Sequence, residues 1–329
     1  MKHNNCKTME TTTNHPVYNR HSFSPALRTI RLGLIAFIPM LLCSLATRAS
    51  AGTWTPYYGP IVPYAMVVVG STQVWAMDTS GGVFQYNSST NKFDWIYSPM
   101  ARIAVGTGNT VWATSESGET YQYNFSKKAF QKVAVSLGSP GDYGVIAAGG
   151  QGVWGLSTKG TTYEWDSVTK SFTKPPHGGT AGAIGLFVGS YEIGVWELDA
   201  SNHAWLYNTD TDYFDKTDGV LAQIAVGNDQ VWGVTSAGTV WEYDVATEKW
   251  IQPDPSALLV EIGAGSNSNI WGFSGIPGGV YLFDQTTQKF VNQNATSGGG
   301  SPINLQSISV SSGSAGVWGV DIDGIIWKE

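Results

Sequence analysis

The chain has 329 residues, of which 40 are glycine, 14 tryptophan and 15 tyrosine, and only 13% are charged. An ordinary globular chain has about 25% charged residues, but the aromatic residues here supply enough apolar surface to argue against disorder. The glycines follow no three-residue period, which excludes collagen. Together with the aromatic residues they favour short strands and tight turns over long helices. We therefore expect an all-β protein.

Residues 1–51 differ in composition from the rest of the chain. Arg28 and Arg31 precede an apolar run that begins at Leu32, and the segment ends in Ala-Ser-Ala at 49–51. A basic flank, an apolar run of this length and an Ala-x-Ala ending predict a secretory signal peptide with cleavage after residue 51. A retained anchor helix is the alternative, although the run is short for a membrane span. We expect a secreted, cell-surface or periplasmic protein.

The predicted mature segment, 52–329, is a single domain without cysteine, because both cysteines precede it. Subtracting the six basic and one acidic residues of 1–51 from the whole-chain counts of 18 and 25 leaves 12 against 24, a net charge of −12. An acidic surface repels phosphate backbones and anionic lipids, so we expect neither nucleic acid nor membrane partners. Burial and hydrogen bonds alone must stabilise the domain.

A pair of one aliphatic residue and tryptophan recurs seven times along the domain. The tryptophans of these pairs, which we call anchor tryptophans, are Trp75, Trp112, Trp154, Trp196, Trp232, Trp271 and Trp318. Glycine stands six residues later in five repeats, Asn202 replaces it in the fourth, and the sixth runs one residue late at Gly278-Gly279. Two aromatic residues follow nine and eleven residues after the anchor, then Asn or Asp, and six residues further another aromatic.

Each repeat predicts a four-stranded antiparallel sheet. In the second repeat the strands are Arg102–Gly106, Val111–Thr114, Glu119–Tyr123 and one that starts near Phe130. Glycine suits the hairpin between the second and third strands, and Asn or Asp opens the next turn by accepting a hydrogen bond from its own backbone. Connections this short exclude parallel pairing.

Seven such sheets of about 40 residues, stacked around a channel, predict a seven-bladed β-propeller. The seventh repeat ends just after Trp327 and lacks its fourth strand. The segment that begins at Gly52 reads as the missing strand, with Trp54 at the position that Phe93 and Trp250 occupy in other repeats. We expect this N-terminal strand to close the ring and so to remove an exposed sheet edge.

The phrases Ile103–Gly118 and Ile224–Gly238 resemble the tectonin repeat, in which a strand ending in glycine precedes Val-Trp-x-Val, glycine and an aromatic pair. The resemblance extends over 64–329. It implies a propeller lectin that binds glycoproteins, lipopolysaccharide or methylated glycans. The shared motif is mainly a fold motif, so it assigns no binding residue individually.

Aromatic residues of the third strands are the candidate ligand-binding residues. Tryptophan and tyrosine offer flat apolar faces and a polar edge, which suit sugar rings. The candidates are Trp165, Trp205, Trp241, Trp327, Tyr121 and Tyr163, with Tyr57, Tyr58, Trp95 and Tyr97 as alternatives outside the repeat register. Packing between blades is the competing explanation for every one of them.

Catalytic and metal sites have little sequence support, and we expect no enzyme and no cofactor. The mature segment keeps two histidines, His177 and His203, and neither has ligand or triad spacing. The run Asn208–Asp212 resembles a calcium loop but lacks the following glycine and the distal glutamate, so a turn is expected. Three sequons, at Asn87, Asn124 and Asn294, fit glycosylation acceptors only in a host that glycosylates.

These patterns favour a multivalent carbohydrate-binding protein with sites between blades, because near-equivalent repeats present near-equivalent clefts. A protein-interaction scaffold is the first alternative. A propeller lyase or hydrolase is the second, and repetition argues against it, because an active site needs one asymmetric cluster of acids or bases.

Overall fold

The computed structural model describes residues 53–57, 63–97, 99–133, 137, 144–266 and 269–329. The predicted signal peptide lies outside this part of the chain. The described residues form strands and no helix. The strands are β1 Thr53–Tyr57, β2 Tyr64–Val69, β3 Val74–Asp78, β4 Val83–Asn87, β5 Lys92–Tyr97, β6 Arg102–Val105, β7 Val111–Thr114, β8 Thr120–Asn124, β9 Ala129–Lys132, β10 Val145–Gly149, β11 Gly152–Leu156, β12 Thr162–Asp166, β13 Ser171–Thr173, β14 Ala183–Val188, β15 Val195–Asp199, β16 His203–Asn208, β17 Tyr213–Val220, β18 Gln223–Val226, β19 Val231–Val234, β20 Val240–Asp244, β21 Lys249–Ile251, β22 Glu261–Ala264, β23 Ile270–Phe273, β24 Val280–Asp284, β25 Lys289–Asn292, β26 Thr296–Ser297, β27 Leu305–Val310, β28 Val317–Asp321 and β29 Ile326–Lys328.

The strands build seven antiparallel blades, as the repeat predicts. Blades 1 to 6 are β2–β5, β6–β9, β10–β13, β14–β17, β18–β21 and β22–β25, each in chain order from the channel outward. Blade 7 takes β27, β28 and β29 from the C-terminal end and β1 as its outer strand. The seven-bladed β-propeller is therefore confirmed.

Strand β1 closes the ring by pairing antiparallel with β29, with Thr55 opposite Lys328 and Tyr57 opposite Ile326. One departure from the prediction is a short parallel pair between β1 and β26, in which Thr53 lies opposite Thr296. Short connections exclude parallel pairing only between the two strands that they join, and β1 and β26 are not joined in this way. β26 instead lies between blades 6 and 7 and reaches the free edge of β1.

A ring of aromatic contacts joins the blades. Each anchor tryptophan packs on the fourth-strand aromatic of the next blade, with ring centroids 5.6 to 6.5 Å apart. The seven pairs are Trp75–Phe130, Trp112–Phe172, Trp154–Phe214, Trp196–Trp250, Trp232–Phe290, Trp271–Trp54 and Trp318–Phe93. Trp54 thus occupies the place predicted for it and is 0% exposed.

The turns follow the local chemistry of the repeat. The hairpin glycines adopt positive φ, as at Gly118 with φ 78° and Gly238 with φ 85°, and Asn202 does the same with φ 65°. The Asn or Asp after each third strand accepts a backbone hydrogen bond two or three residues on, as from Lys127 N to Asn124 Oδ1 at 2.9 Å.

Two rims result from this topology. The hairpin rim carries the hairpins between second and third strands and the connections between blades. The turn rim carries the turns between first and second strands and those between third and fourth strands.

Candidate functional site

The clefts between blades are larger than the central opening. At the turn rim the opening between the innermost strands has a volume of about 90 Å³ and is lined largely by glycine, valine and alanine. Ligand pockets usually hold about 300–1,000 Å³. Three inter-blade and rim cavities of the described structure, with volumes of about 380, 410 and 550 Å³, fall within that range.

The two aromatic residues of each third strand face the preceding blade, but they have different surroundings. The residue nearer the turn rim packs on the anchor tryptophan of that blade, with ring centroids 4.7 to 5.0 Å apart. This set comprises Tyr86, Tyr123, Trp165, Tyr207, Tyr243 and Phe283. Its members are part of the core between blades.

The residue nearer the hairpin rim stays partly exposed in five consecutive blades. These residues are Tyr121, Tyr163, Trp205, Trp241 and Tyr281. In blades 1 and 7 the equivalent residues are buried, Phe84 at 2% and Trp327 at 7% exposed. Tyr281 is absent from the sequence-based candidates. It occupies the equivalent position, but it lies ten rather than nine residues after its anchor tryptophan. Burial leaves Trp327 little surface to offer a ligand.

The cleft between blades 4 and 5 is the most enclosed of these sites. It has a volume of about 410 Å³. Its lining residues are Asp218, Gly219, Val220, Leu221, Thr235, Trp241 and Trp250. The walls are mostly apolar and aromatic, and a few polar groups lie at the edges, as in many small-molecule sites.

Hydrogen bonds hold both indole rings of this cleft in place. Trp241 Nε1 donates to Thr239 Oγ1 at 3.1 Å, and the Thr239 hydroxyl lies 2.7 Å from that of Thr235. Trp250 Nε1 donates to Thr217 Oγ1 at 3.1 Å. With their polar edges satisfied by the protein, both rings have a defined orientation. Trp241 presents partly exposed apolar surface to the cleft, whereas Trp250, which is 7% exposed, lines it mainly as part of the core.

Asp218 places a carboxylate at the mouth of the cleft. Its Oδ1 accepts a hydrogen bond from Trp250 N at 3.2 Å, and its Oδ2 lies 3.5 Å from Lys249 Nζ. The Asp218 side chain is 43% exposed. It therefore remains accessible as an acceptor for a hydroxyl group of a ligand in the cleft.

Trp205 has a more crowded environment. Its Nε1 donates to Asp199 Oδ2 at 3.1 Å, and Lys216 Nζ lies 5.8 Å from its ring centroid. Burial favours a higher pKa for Asp199, but hydrogen bonds from His203 N, Trp205 Nε1 and Ser201 N prevail and lower that pKa. Asp199 is therefore an anion that holds the indole edge, while Lys216 covers part of its face.

The two tyrosine candidates lie in the clefts of blades 2 and 3. Tyr121 donates through its hydroxyl to Glu119 Oε2 at 2.7 Å. Burial and this carboxylate raise the pKa of Tyr121 to about 12, so the hydroxyl keeps its proton. Tyr163 packs against the cluster that contains Trp112 and Leu137.

The two histidines contact a tyrosine of the neighbouring blade and an aspartate of the same hairpin, respectively. His177 stacks flat on Tyr213 with 3.7 Å between ring centroids, and His203 Nδ1 lies 3.1 Å from Asp199 Oδ2. The run Asn208–Asp212 forms the turn expected of it. Among the described residues no group of three or more His, Cys, Asp or Glu is placed to hold a metal ion.

The sequons at Asn87 and Asn124 lie in turns between third and fourth strands, where the side-chain amides are engaged. Asn87 Nδ2 donates to Asp94 Oδ2 at 2.9 Å, and Asn124 Nδ2 donates to Gln131 Oε1 at 3.0 Å. Asn294 is exposed with φ 46°. Tyr58, one of the alternative candidates, falls outside the described residues. In the part of the chain that the structure covers, we find no helix with the length and apolarity needed to cross a bilayer.

Part of the sequence matches a known domain family. The family model of the tectonin domain matches residues 186–329, which span blades 4 to 7. The match supports the predicted resemblance of this seven-bladed propeller to tectonin-repeat propellers. No curated protein matches the sequence.

Solved structures similar to this propeller are distant in sequence. The structure of U3-55K has 9% identity and a TM-score of 0.61, and the alignment covers 83% of this chain and 92% of that one. YCF48 from Cyanidioschyzon merolae has 11% identity and a TM-score of 0.59, with coverage of 84% and 98%. The WD40 β-propeller domain of Doa1 has 12% identity and a TM-score of 0.59, with coverage of 83% and 94%. At these identities the likeness shows the propeller fold alone.

Proposed function

We propose that this propeller is a carbohydrate-binding protein whose sites lie in the inter-blade clefts of the hairpin rim. The observation that carries the proposal is the cleft at Trp241, which combines two positioned indole rings with an accessible carboxylate in about 410 Å³. Sugar rings present apolar C–H faces and a periphery of hydroxyl groups. An aromatic wall beside acceptor groups suits both features.

The repetition of this arrangement supports a multivalent mode of binding. Blades 2 to 6 each carry a partly exposed aromatic residue at the equivalent position. Sites that are weak individually gain avidity when a glycan surface offers matching spacing. The resemblance to tectonin-type lectins favours methylated glycans or lipopolysaccharide among the ligands.

Substitution of Trp241 tests the site. We expect Trp241→Ala to weaken glycan binding roughly fivefold, since an aromatic stacking partner contributes about 1 kcal/mol. Trp241→Phe should keep part of the affinity, because it retains an aromatic face. The measurement is binding of the folded chain to arrays of plain and methylated glycans and to lipopolysaccharide, followed by titration of the best ligand.

Trp95→Ala is the matched control, because this indole is 62% exposed on the outer strand of blade 1. We expect its affinity to equal that of the wild type. Loss of binding in Trp95→Ala together with full binding in Trp241→Ala would move the site away from the clefts.

A protein-interaction scaffold is the second candidate, and the surface beside the cleft favours it. Leu258, Val260 and Ile276 are 61%, 61% and 60% exposed on the hairpin rim of blades 5 and 6. Exposed apolar groups of this kind often mark protein contacts. A folded wild-type chain that binds no glycan on the arrays would contradict the first candidate and favour this one.

Export is part of the same proposal, since extracellular glycans are the ligands it invokes. The basic flank, apolar run and Ala-Ser-Ala ending of residues 1–51 support it. Mass measurement of the protein recovered outside the expressing cells should give a chain that begins at Gly52. Recovery of only the uncleaved chain inside the cells would contradict export.

A further inference from the structure

The cleft between blades 2 and 3 opens at the turn rim and is lined by amides, lysines and an indole ring. Its volume is about 550 Å³. Blade 2 contributes Gln122, Asn124, Gln131 and Lys132, and blade 3 contributes Trp165 and Lys170. The Trp165 ring is partly exposed here, while its edge contact with Trp112, at 4.7 Å between centroids, holds it in place.

This cleft is electropositive in an otherwise acidic domain. Among the described residues, those that line it include no aspartate or glutamate. Two further exposed lysines, Lys127 and Lys128, follow in the turn that borders it. Lys132 and Lys170 are among the lining residues, and Lys132 lies opposite Tyr121 on the face of blade 2 that is turned toward blade 1. Lys132 also contacts Glu119, and that hydrogen bond lowers the pKa of Glu119.

The next cleft, between blades 3 and 4, has the opposite charge at the corresponding positions. Glu164 and Asp166 stand where blade 2 has Gln122 and Asn124, and Asp212 stands where blade 3 has Lys170. Tyr207 replaces Trp165 and donates to Asp212 Oδ1 at 3.1 Å. Burial, together with Asp212 and Asp166, raises the pKa of Glu164. The repeat thus builds one basic and one acidic cleft from the same backbone.

The amides of the basic cleft are arranged for hydrogen bonding. Asn124 Nδ2 donates to Gln131 Oε1 at 3.0 Å, and Asn124 Oδ1 accepts from Lys127 N at 2.9 Å. Gln122 lies opposite Gln131 across β8 and β9, so both amides face the cleft. Amide groups offer donors and acceptors side by side, which matches the hydroxyl groups of a sugar.

We propose that this cleft is a second ligand site that binds an acidic sugar. The ammonium group of Lys170 holds its carboxylate, Gln122 and Gln131 bind its hydroxyl groups, and the Trp165 ring contacts its apolar face. The inference rests on the proposed glycan-binding function, because it takes the ligand to be a sugar. It also adds acidic sugars to the ligand classes. The Trp241 cleft disfavours them, because the Asp218 carboxylate at its mouth repels a carboxylate of the ligand.

Titration with tetragalacturonate, with maltotetraose as the neutral counterpart, tests the assignment. The wild-type chain should bind tetragalacturonate in preference and lose affinity as salt concentration rises, since the contacts are between exposed charges. Lys170→Gln should weaken this binding roughly tenfold, as expected for a hydrogen bond to a charged group.

Lys92→Gln is the matched control, because Lys92 is an exposed lysine at the start of the fourth strand of blade 1. It should bind as the wild type does. Equal weakening in Lys92→Gln, equal binding of maltotetraose, or displacement of tetragalacturonate by polyaspartate at equal charge would each overturn the proposal.

The Trp241→Ala variant separates this proposal from the function of the other cleft. It should keep tetragalacturonate binding while losing its own ligand. If neutral glycans bind through Trp241 and tetragalacturonate does not bind at all, the acidic-sugar site is overturned and the proposed function stands. If Lys170→Gln binds tetragalacturonate as tightly as the wild type does, the site is likewise overturned.

Discussion

Trp165 and Trp241 show how a shift of two residues along a strand changes the surroundings of a tryptophan. Both belong to the aromatic pair of a third strand, but Trp165 stands eleven and Trp241 nine residues after its anchor. The former packs 4.7 Å from the anchor Trp112, whereas the latter faces a cleft near the hairpin rim. The sequence predicted both as ligand-binding candidates, and the position along the strand decides which cleft each ring reaches: Trp241 lines one at the hairpin rim, and Trp165 lines one at the turn rim beside its contact with Trp112.

Glu261 is a second case in which position decides the behaviour of a side chain. It stands on the innermost strand of blade 6, where blade 5 has Gln223. The Gln223 amide accepts from Ile262 N at 2.9 Å and donates to Ile262 O at 3.1 Å. Glu261 Oε1 accepts from Ile308 N at 2.9 Å, and an ionised carboxylate has no proton to donate.

Burial raises the pKa of Glu261 to about 7 from its ordinary 4.5, although the hydrogen bond from Ile308 N opposes this. Between these values the folded state binds the proton more tightly than the unfolded state, so stability falls as pH rises. The loss is complete above the folded pKa. We expect Glu261→Gln to raise the free energy of unfolding by about 1–3 kcal/mol at high pH, since one pKa unit is about 1.4 kcal/mol.

Urea unfolding of the variant and the wild type at about pH 8 and about pH 3.5 measures this gain, because both pH values lie outside the range between the unfolded and folded pKa of Glu261. The difference between the two proteins should disappear at the lower pH, where the wild-type carboxyl is protonated in both states. A difference of the same size at both pH values would contradict titration of Glu261 as its cause.

At the scale of strands and turns, the sequence predicted whatever depends on local chemistry. Glycine at the hairpins and Asn or Asp at the following turns have the conformations and hydrogen bonds expected of them. The same holds for strand order, because period-two aromatic spacing and short connections admit few alternatives. These features recur seven times, so an irregular copy such as Asn202 could be interpreted from the others.

The connections between blades do not repeat, and the shapes of the clefts depend on them. In four blades a leucine from the connection packs on the glycine that follows the anchor tryptophan, as Leu221 does on Gly233. In blade 4 that glycine is Glu197, and the connection supplies Gly179 instead. Glu197 is 0% exposed and accepts from Thr162 Oγ1 and Thr180 N, and burial raises its pKa. No local pattern pairs Gly179 with Glu197, so the sequence alone did not indicate this contact or the cleft volumes.

At the scale of the whole molecule, ring closure depends on a contact that joins the two ends of the described chain. In the other six aromatic pairs the fourth strand follows the third strand of its own blade directly along the chain. Trp54 reaches Trp271 of blade 6 from the outer strand of blade 7, and that strand is bound to its blade only through β29 and β26. A change at this contact therefore acts on the ring as a whole, because no covalent link holds the strand in its blade.

We expect Trp54→Ala to lower the free energy of unfolding by about 3–5 kcal/mol, the usual cost of removing a buried aromatic side chain. Trp54→Phe should cost less, because phenylalanine occupies the equivalent place in five other blades. Urea unfolding and limited proteolysis measure the two consequences: Trp54→Ala should unfold at lower urea and be cleaved faster near residues 53–57. Trp95→Ala is the control, since an indole that is 62% exposed contributes little to the core. If Trp54→Ala lost no more stability than Trp95→Ala, closure by β1 would not stabilise the ring, and blade 7 would have to be held by its three remaining strands.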